Sequence, residues 1–238
     1  MKNRNATTLF LIASLSINAF AAVIDDFEDG DYTDNPTWEV YSSFGSDAVV
    51  ADPYRADNLI YKSQGTATGG RILYNFFETE DYIPWHGFDL EYEFLATAED
   101  YHIQVGLRGD VITGVTSELH FRPGWSDIHL NLDQVTSIET ANLSIGTVPL
   151  NSWLKMHLWH DTSNDMLYQE IRTVNTGELI AEVSAALVGD ISTGDINRMY
   201  LSIERTNWQY VDNITLVPEP ATMLLLGLGG LALRKRSA

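Results

Sequence analysis

The sequence contains no cysteine, so no disulfide can staple the fold and its stability must come from a buried core. It is also poor in positive charge: 14 Lys and Arg stand against 33 Asp and Glu, for a formal net charge of −19. Partners rich in phosphate depend on neutralisation by Lys and Arg, so this balance disfavours nucleic acid and anionic lipid. No apolar run reaches the roughly 20 residues that a permanent spanning helix needs. A Gly-x-Ser-x-Gly elbow, a His-Glu-x-x-His pair and a P-loop are all missing, which removes the usual footholds for serine-hydrolase, zinc-protease and nucleotide chemistry.

What is present begins at the two ends. Lys2 and Arg4 precede an apolar stretch from Leu9 to Ile17 and an Ala19-Phe20-Ala21 site, the three parts of a secretory signal peptide. At the other end Pro218-Glu219-Pro220 is followed by an apolar run of 13 residues, Ala221 to Leu233, and by Arg234-Lys235-Arg236. Prolines 218 and 220 interrupt whatever precedes the run. The run itself is short and broken by Gly227, Gly229 and Gly230, which suits a transient hold better than an anchor. In order and position this tail resembles the PEP-CTERM sorting signal. The resemblance implies an exosortase-type processing protease as partner, brief association with the inner membrane, and delivery to the cell surface or extracellular matrix of an exopolysaccharide-producing Gram-negative bacterium.

The expected organisation is therefore residues 1–21 as signal peptide, 22–217 as one domain, and 218–238 as sorting signal with a short hydrophobic helix. Without Lys2, Arg4, Glu219 and the three basic tail residues, the domain keeps 9 basic against 32 acidic residues, a net −23. Carboxylates in that excess suit divalent cations.

Within the domain, apolar and polar residues alternate with period two. Phe88, Leu90, Tyr92 and Phe94 alternate with Asp89, Glu91 and Glu93, and Tyr101, Ile103, Val105 and Leu107 alternate with His102, Gln104 and Arg108. The pattern returns around Leu119, Leu130, Met156, Leu201 and along Tyr210, Asp212, Ile214 and Leu216. Turn signals such as Asn175-Thr176-Gly177 separate the runs. Only Ser184 to Val188 offers a weak helical stretch. The reading is all-β: an antiparallel β-sandwich. The segments DDFEDGDYTDNPTW, NSWLKMHLWHDTSNDMLYQEIRTVNTGELIAE and YVDNITL resemble concanavalin A-like, laminin-G-like jelly-roll domains. That resemblance implies that Ile24 to Phe27 and Val211 to Leu216 lie side by side. It also implies a sheet serving as a glycan platform, and a structural calcium held where the ends meet, with Glu28 and Asp212 as ligands.

If consecutive strands are neighbours, one polar face gathers Asp89, Glu91, Glu93, His102, Gln104, Arg108, Glu118, His120, Arg122, His129, Asn131, Trp153, Lys155, His157 and Trp159, since side chains at i and i+2 share a face. Planar hydrogen-bonding groups among flat aromatics suit sugar hydroxyls and the apolar faces of pyranose rings. The expected binding residues are His102, Gln104, Arg108, His120, Arg122 and His129, with Trp125 as the stacking ring in Phe121-Arg122-Pro123-Gly124-Trp125. The plain alternative is a solvated sheet face. Carboxylates two apart on a strand lie about 6.5 to 7 Å apart, a separation glycosidases use, so Glu91 and Glu93 raise a glycan-active hydrolase or lyase as the contrasting reading. Their order departs from the Glu-x-Asp-x-(x)-Glu strand of sandwich glucanases. The six histidines include no His-x-His or His-x3-His pair, so spacing along the chain gives no zinc motif. The function expected is non-catalytic carbohydrate binding or a structural role outside the cell, with exopolysaccharide or another glycan as ligand.

Overall fold

The computed structural model describes residues 22–33, 37–66, 70–76, 88–97, 101–109, 114–121, 128–134, 138–145, 147–187, 196–204 and 207–218. The signal peptide, Arg122, Trp125 and the sorting tail beyond Pro218 lie outside them. The described residues form 15 strands: β1 (Ala22–Asp25), β2 (Trp38–Ser43), β3 (Ser46–Ala51), β4 (Leu59–Gln64), β5 (Arg71–Phe76), β6 (Phe88–Ala96), β7 (Tyr101–Gly109), β8 (Gly114–Phe121), β9 (Ile128–Gln134), β10 (Ile138–Ile145), β11 (Ser152–Asp161), β12 (Met166–Thr173), β13 (Leu179–Ala186), β14 (Ile196–Glu204) and β15 (Gln209–Pro218). They pair antiparallel in two sheets. One has eight strands, ordered β13-β12-β11-β6-β15-β4-β3 with β1 also on β15; the other has seven, ordered β10-β9-β8-β7-β14-β5-β2.

Alternation explains the packing. Leu90, Tyr92 and Phe94 of β6 and Leu154, Met156 and Leu158 of β11 turn inward from the first sheet. Ile103, Val105 and Leu107 of β7 and Met199, Leu201 and Ile203 of β14 turn inward from the second, and all belong to one buried cluster. Each such side chain taken fully from water stabilises the fold by about 1.5–3 kcal/mol. The two domain ends do meet: Ala22 lies opposite Leu216 and Asp25 opposite Ile214.

Three expectations need correction. Ser184 to Ala186 is strand, because β13 pairs with β12 from Met166–Ala186 through Ile171–Ala181. Tyr210, Asp212, Ile214 and Leu216 do not share a face. Asn213 takes φ 49 and the β15 register with β6 shifts between Asp212 and Thr215, a bulge that inserts one residue. Beyond it Ile214 and Leu216 face the core, while Tyr210 packs on an outer cluster with Ile60, Leu95 and Trp153. Finally, β6 and β7 are consecutive in the chain but belong to different sheets. The single polar shelf therefore splits in two, one part on each outer side of the sandwich.

Candidate functional site

On the outer side of the eight-stranded sheet, register builds a grid of nine residues. Asp89, Trp159 and Tyr168 lie in one row across β6, β11 and β12, Glu91, His157 and Glu170 in the next, and Glu93, Lys155 and Arg172 in the third. Within reach of diagonal neighbours, the charges pair. Lys155 Nζ lies 3.0 Å from Glu91 Oε2, and His157 bridges Asp89 (2.8 Å from Nε2) and Glu170 (3.4 Å from Nδ1). Arg172 donates twice to Glu170, at 2.8 and 2.7 Å. Burial would lower the His157 pKa, but the Asp89 bond and charge, with Glu170 and Glu91 nearby, raise it. The Arg172 bonds hold Glu170 below its ordinary value.

Beside these ion pairs stands a stack of rings. His157 lies over Trp159 at 4.3 Å between centroids, and Trp159 over Tyr168 at 5.1 Å with an interplanar angle of 13°. That spacing is an offset arrangement, which leaves part of each ring open. Along the other flank of His157 runs a groove of about 320 Å³, lined by Glu91, Lys155, Glu170, Arg172 and the Thr173–Gly177 turn. Its volume falls at the lower end of ligand-sized clefts.

The upper part of this face is closed. The β3–β4 loop lays Arg55 over the Trp153 ring at 3.9 Å. Its guanidinium reaches Asp52 (2.5 Å), Glu93 (2.6 Å) and Asp212 (2.5 Å). Asn58 adds a bond to Asp212 at 3.0 Å. Burial pushes the Asp212 carboxyl up to about 6, against the pull of Asn58 and Arg55. Glu28 Oε1 instead accepts the Leu59 amide at 3.0 Å. The expected calcium pair thus tethers one loop, Asp212 at Arg55 and Asn58 and Glu28 at Leu59, and at Asp212 a guanidinium occupies the cation's role. Among the described residues no group of three or more such side chains is arranged to hold a metal ion. The donor set does not fit the calcium that the resemblance implied.

The acidic N-terminal run serves the backbone. Asp25 Oδ1 accepts the Phe27 amide, Asp26 that of Glu28, Asp29 that of Asp31, and Asp31 that of Thr33, a succession of Asx turns. Asp25 also accepts from Trp38 Nε1 at 2.8 Å, so Trp38 is a core residue. Trp208 stands on the surface of the first sheet with Lys62 4.2 Å over its ring.

The residues expected to bind sugar occupy the other sheet. His102 and Gln104 lie on β7, Arg108 near its end, His120 on β8 and His129 on β9. Gln104 accepts from the Tyr200 hydroxyl at 2.9 Å, and the His102 amide donates to Gln209. Of the predicted polar face, only Asp89, Glu91, Glu93, Trp153, Lys155, His157 and Trp159 share the first sheet. Tyr168, Glu170, Arg172 and Arg55 went unnoticed in the sequence. For the first three the signal was available: MLYQEIRT alternates, and sets them on one face.

Residues 216–237 match the PEP-CTERM protein-sorting motif. The body is similar in fold to lectin II from Ulex europaeus (TM-score 0.50, 9% identity, covering 79% of this chain and 95% of that one). It is likewise similar to arcelin-5, a lectin-like defense protein from Phaseolus vulgaris (TM-score 0.51, 10% identity, covering 79% and 94%). The chain carries a PEP-CTERM sorting motif at residues 216–237, and its body shares the β-sandwich fold of these lectin-like structures. Compared by sequence with curated proteins, it has no match. The PEP-CTERM motif makes it an exported protein, sorted by an exosortase to the surface or the extracellular space. It begins at Leu216, inside β15, and Pro218 closes that strand opposite Phe88, as suits a residue that cannot donate to a ladder.

Proposed function

We propose that this exported protein is a non-catalytic carbohydrate-binding component of the cell surface or exopolysaccharide matrix, and that it holds glycan on the outer face of its eight-stranded sheet. The observation that carries the reading is the His157–Trp159–Tyr168 stack standing against a groove of paired charges. Offset rings offer apolar surface to a pyranose face, and Lys155, Arg172, Glu91 and Glu170 offer donors and acceptors to its hydroxyls. The lectin and the lectin-like protein that share the fold are in keeping with it.

The carboxylates argue for binding over hydrolysis. Asp89 is engaged by His157, Glu91 by Lys155, and Glu93 by Arg55 and Asn213. A hydrolytic acid and base need two carboxyl groups facing one bond, and here each faces its own donor. Binding of the full-length chain to the producer's polysaccharide, by calorimetry and glycan array, tests the reading. Trp159→Ala is expected to weaken binding about tenfold, the worth of one aromatic contact, with no reducing ends released by the wild type. Unchanged affinity in Trp159→Ala, or no glycan bound at all, sinks the site; turnover sinks the non-catalytic assignment.

A further inference from the structure

The outer side of the seven-stranded sheet carries a second ring cluster, built at its β2 edge. Leu73, Leu201 and Val105 form a row across β5, β14 and β7 that faces the core. The adjacent row, Glu39, Tyr74, Tyr200 and Gly106 across β2, β5, β14 and β7, therefore faces outward. The Tyr74 and Tyr200 rings lie 5.9 Å apart between centroids, and the Tyr200 hydroxyl donates to Gln104 at 2.9 Å. Arg198, two residues before Tyr200 and on the same face, lays its guanidinium over the Tyr74 ring at 4.5 Å. Tyr41 completes the cluster. It is the extra residue of a β-bulge, with Val40 opposite Leu73 and Ser42 opposite Ile72, a device that re-aims a side chain. Its ring meets that of Tyr74 at 5.0 Å.

Burial separates the roles of the three rings. Tyr74 and Tyr200 are 8% and 4% exposed, whereas Tyr41 is 71% exposed, so the inner two are supports and the outer one offers its ring to solvent. Glu39, Val40, Tyr41, Tyr74 and Arg198 line a slot of about 210 Å³. That is smaller than the clefts that take drug-sized ligands, and it limits the occupant to a single ring. The lining sets the chemical class: an aromatic face for the apolar side of a pyranose, a guanidinium that donates to hydroxyls and a carboxylate that accepts from them. With one charge of each sign, the slot favours an uncharged ring over an acidic one. The chain's net charge of −19 opposes acidic sugars as well.

We propose that this slot binds one neutral sugar ring, stacked on Tyr41 and held at its hydroxyls by Arg198 and Glu39. It lies on the opposite side of the sandwich from the proposed glycan groove, so a chain with both sites joins two glycan strands. The bridging rests on that groove; the slot does not. The probes are the methyl glycosides of glucose, galactose, mannose and N-acetylglucosamine, with methyl glucuronide as the acidic counterpart. They are titrated calorimetrically into the full-length chain carrying Trp159→Ala, which weakens the groove. A neutral glycoside is expected to bind more tightly than the glucuronide, and adding Tyr41→Ala is expected to weaken it about tenfold. Adding Glu39→Gln instead is expected to weaken it several-fold. Circular dichroism checks that each variant is folded, and should Tyr41→Ala fail to fold, Glu39→Gln carries the test.

No neutral glycoside bound by Trp159→Ala, an affinity unchanged by the second substitution, or a preference for the glucuronide overturns the slot. So does a Tyr41→Ala variant that turns a dimer into a monomer in sedimentation, because the face is then a contact between copies. Failure of the groove reads differently: wild type and Trp159→Ala bind alike, and both lose binding with Tyr41→Ala. With the producer's polysaccharide, the wild type is expected to form turbid aggregates, and each single variant to form far fewer. Turbidity that survives in Tyr41→Ala overturns the bridge.

Discussion

Asp25 shows how a single residue couples the domain's ends to pH. The residue is 4% exposed, and its carboxyl accepts from the Phe27 amide at 2.7 Å and Trp38 Nε1 at 2.8 Å. Burial pushes its pKa up from 3.8 to about 7, against those two bonds, and the charges of Asp29 and Asp26 add to the rise. The folded state therefore holds this proton more tightly than the unfolded chain. The associated stability is fully present below pH 3.8 and is lost as pH rises through about 7. At about 1.4 kcal/mol per pH unit, the loss between pH 5 and 8 is on the order of 3 kcal/mol. Asp25→Asn keeps an acceptor and cannot ionise. Urea unfolding is expected to show a smaller fall in stability from pH 5 to 8 in this variant by about that amount, and equal slopes would refute the assignment. The acids around Asp25 were legible as a cluster but suggested a metal site. Their spacing of two is equally the mark of Asx turns, and only the folded backbone shows which amides the carboxylates cap.

At the scale of the element, alternation tells which face a residue takes but not which sheet its strand joins. That is why Leu90, Tyr92, Ile103 and Val105 could be assigned to the core while the polar shelf could not be assembled. The step from β6 to β7 crosses between sheets, and the partner of a strand is chosen by core packing far along the chain: β6 lies between β11 and β15. Bulges hide for a similar reason, since Asn213 resembles any strand residue until its φ is known. Turns are more readable. Gly45, between β2 and β3, has φ 97, and a Cβ there would lie 1.8 Å from the Gln64 carbonyl oxygen. Gly177, between β12 and β13, has φ 70 and nothing within 4 Å of the same position. Both substitutions incur the cost of a left-handed conformation, about 1–2 kcal/mol, but only one adds a collision with backbone. Gly177→Ala is expected to lower Tm by about 2–8 °C at 2–4 °C per kcal/mol for a domain of this size. Gly45→Ala should lower it at least twice as far. Calorimetric scans of both variants decide it, and equal shifts would mean that the β2–β3 turn relaxes freely.

For the whole molecule, charge and architecture pull stability toward mild acid. His157 is held above its ordinary value by Asp89 and Glu170, so its contribution is complete below about pH 6.5 and is lost as pH rises through its folded value. Asp25 and Asp212, raised to about 7 and about 6, act in the same direction. Glu170 and Asp52 oppose them: Glu170 is lowered by Arg172, and Asp52 is lowered because bonds from Arg55 and Tyr54 outweigh its burial. Their contributions are present above pH 4.5 and 3.8 and are lost as pH falls through their folded values. Self-repulsion in a body of net charge −23 also grows as pH rises. The raised carboxyls begin to lose their contribution above pH 3.8 and the lowered ones are complete only above 4.5, so the maximum falls between about pH 3.8 and 4.5. Scanning calorimetry from pH 3 to 9 is expected to place the highest Tm in that window. At pH 8, 0.5 M salt should restore only part of the difference, because screening relieves repulsion between surface charges and leaves the burial of Asp25 unchanged. A Tm that climbs steadily to pH 8 would mean that the ion-pair grid and the buried carboxyls do not govern the stability of this protein.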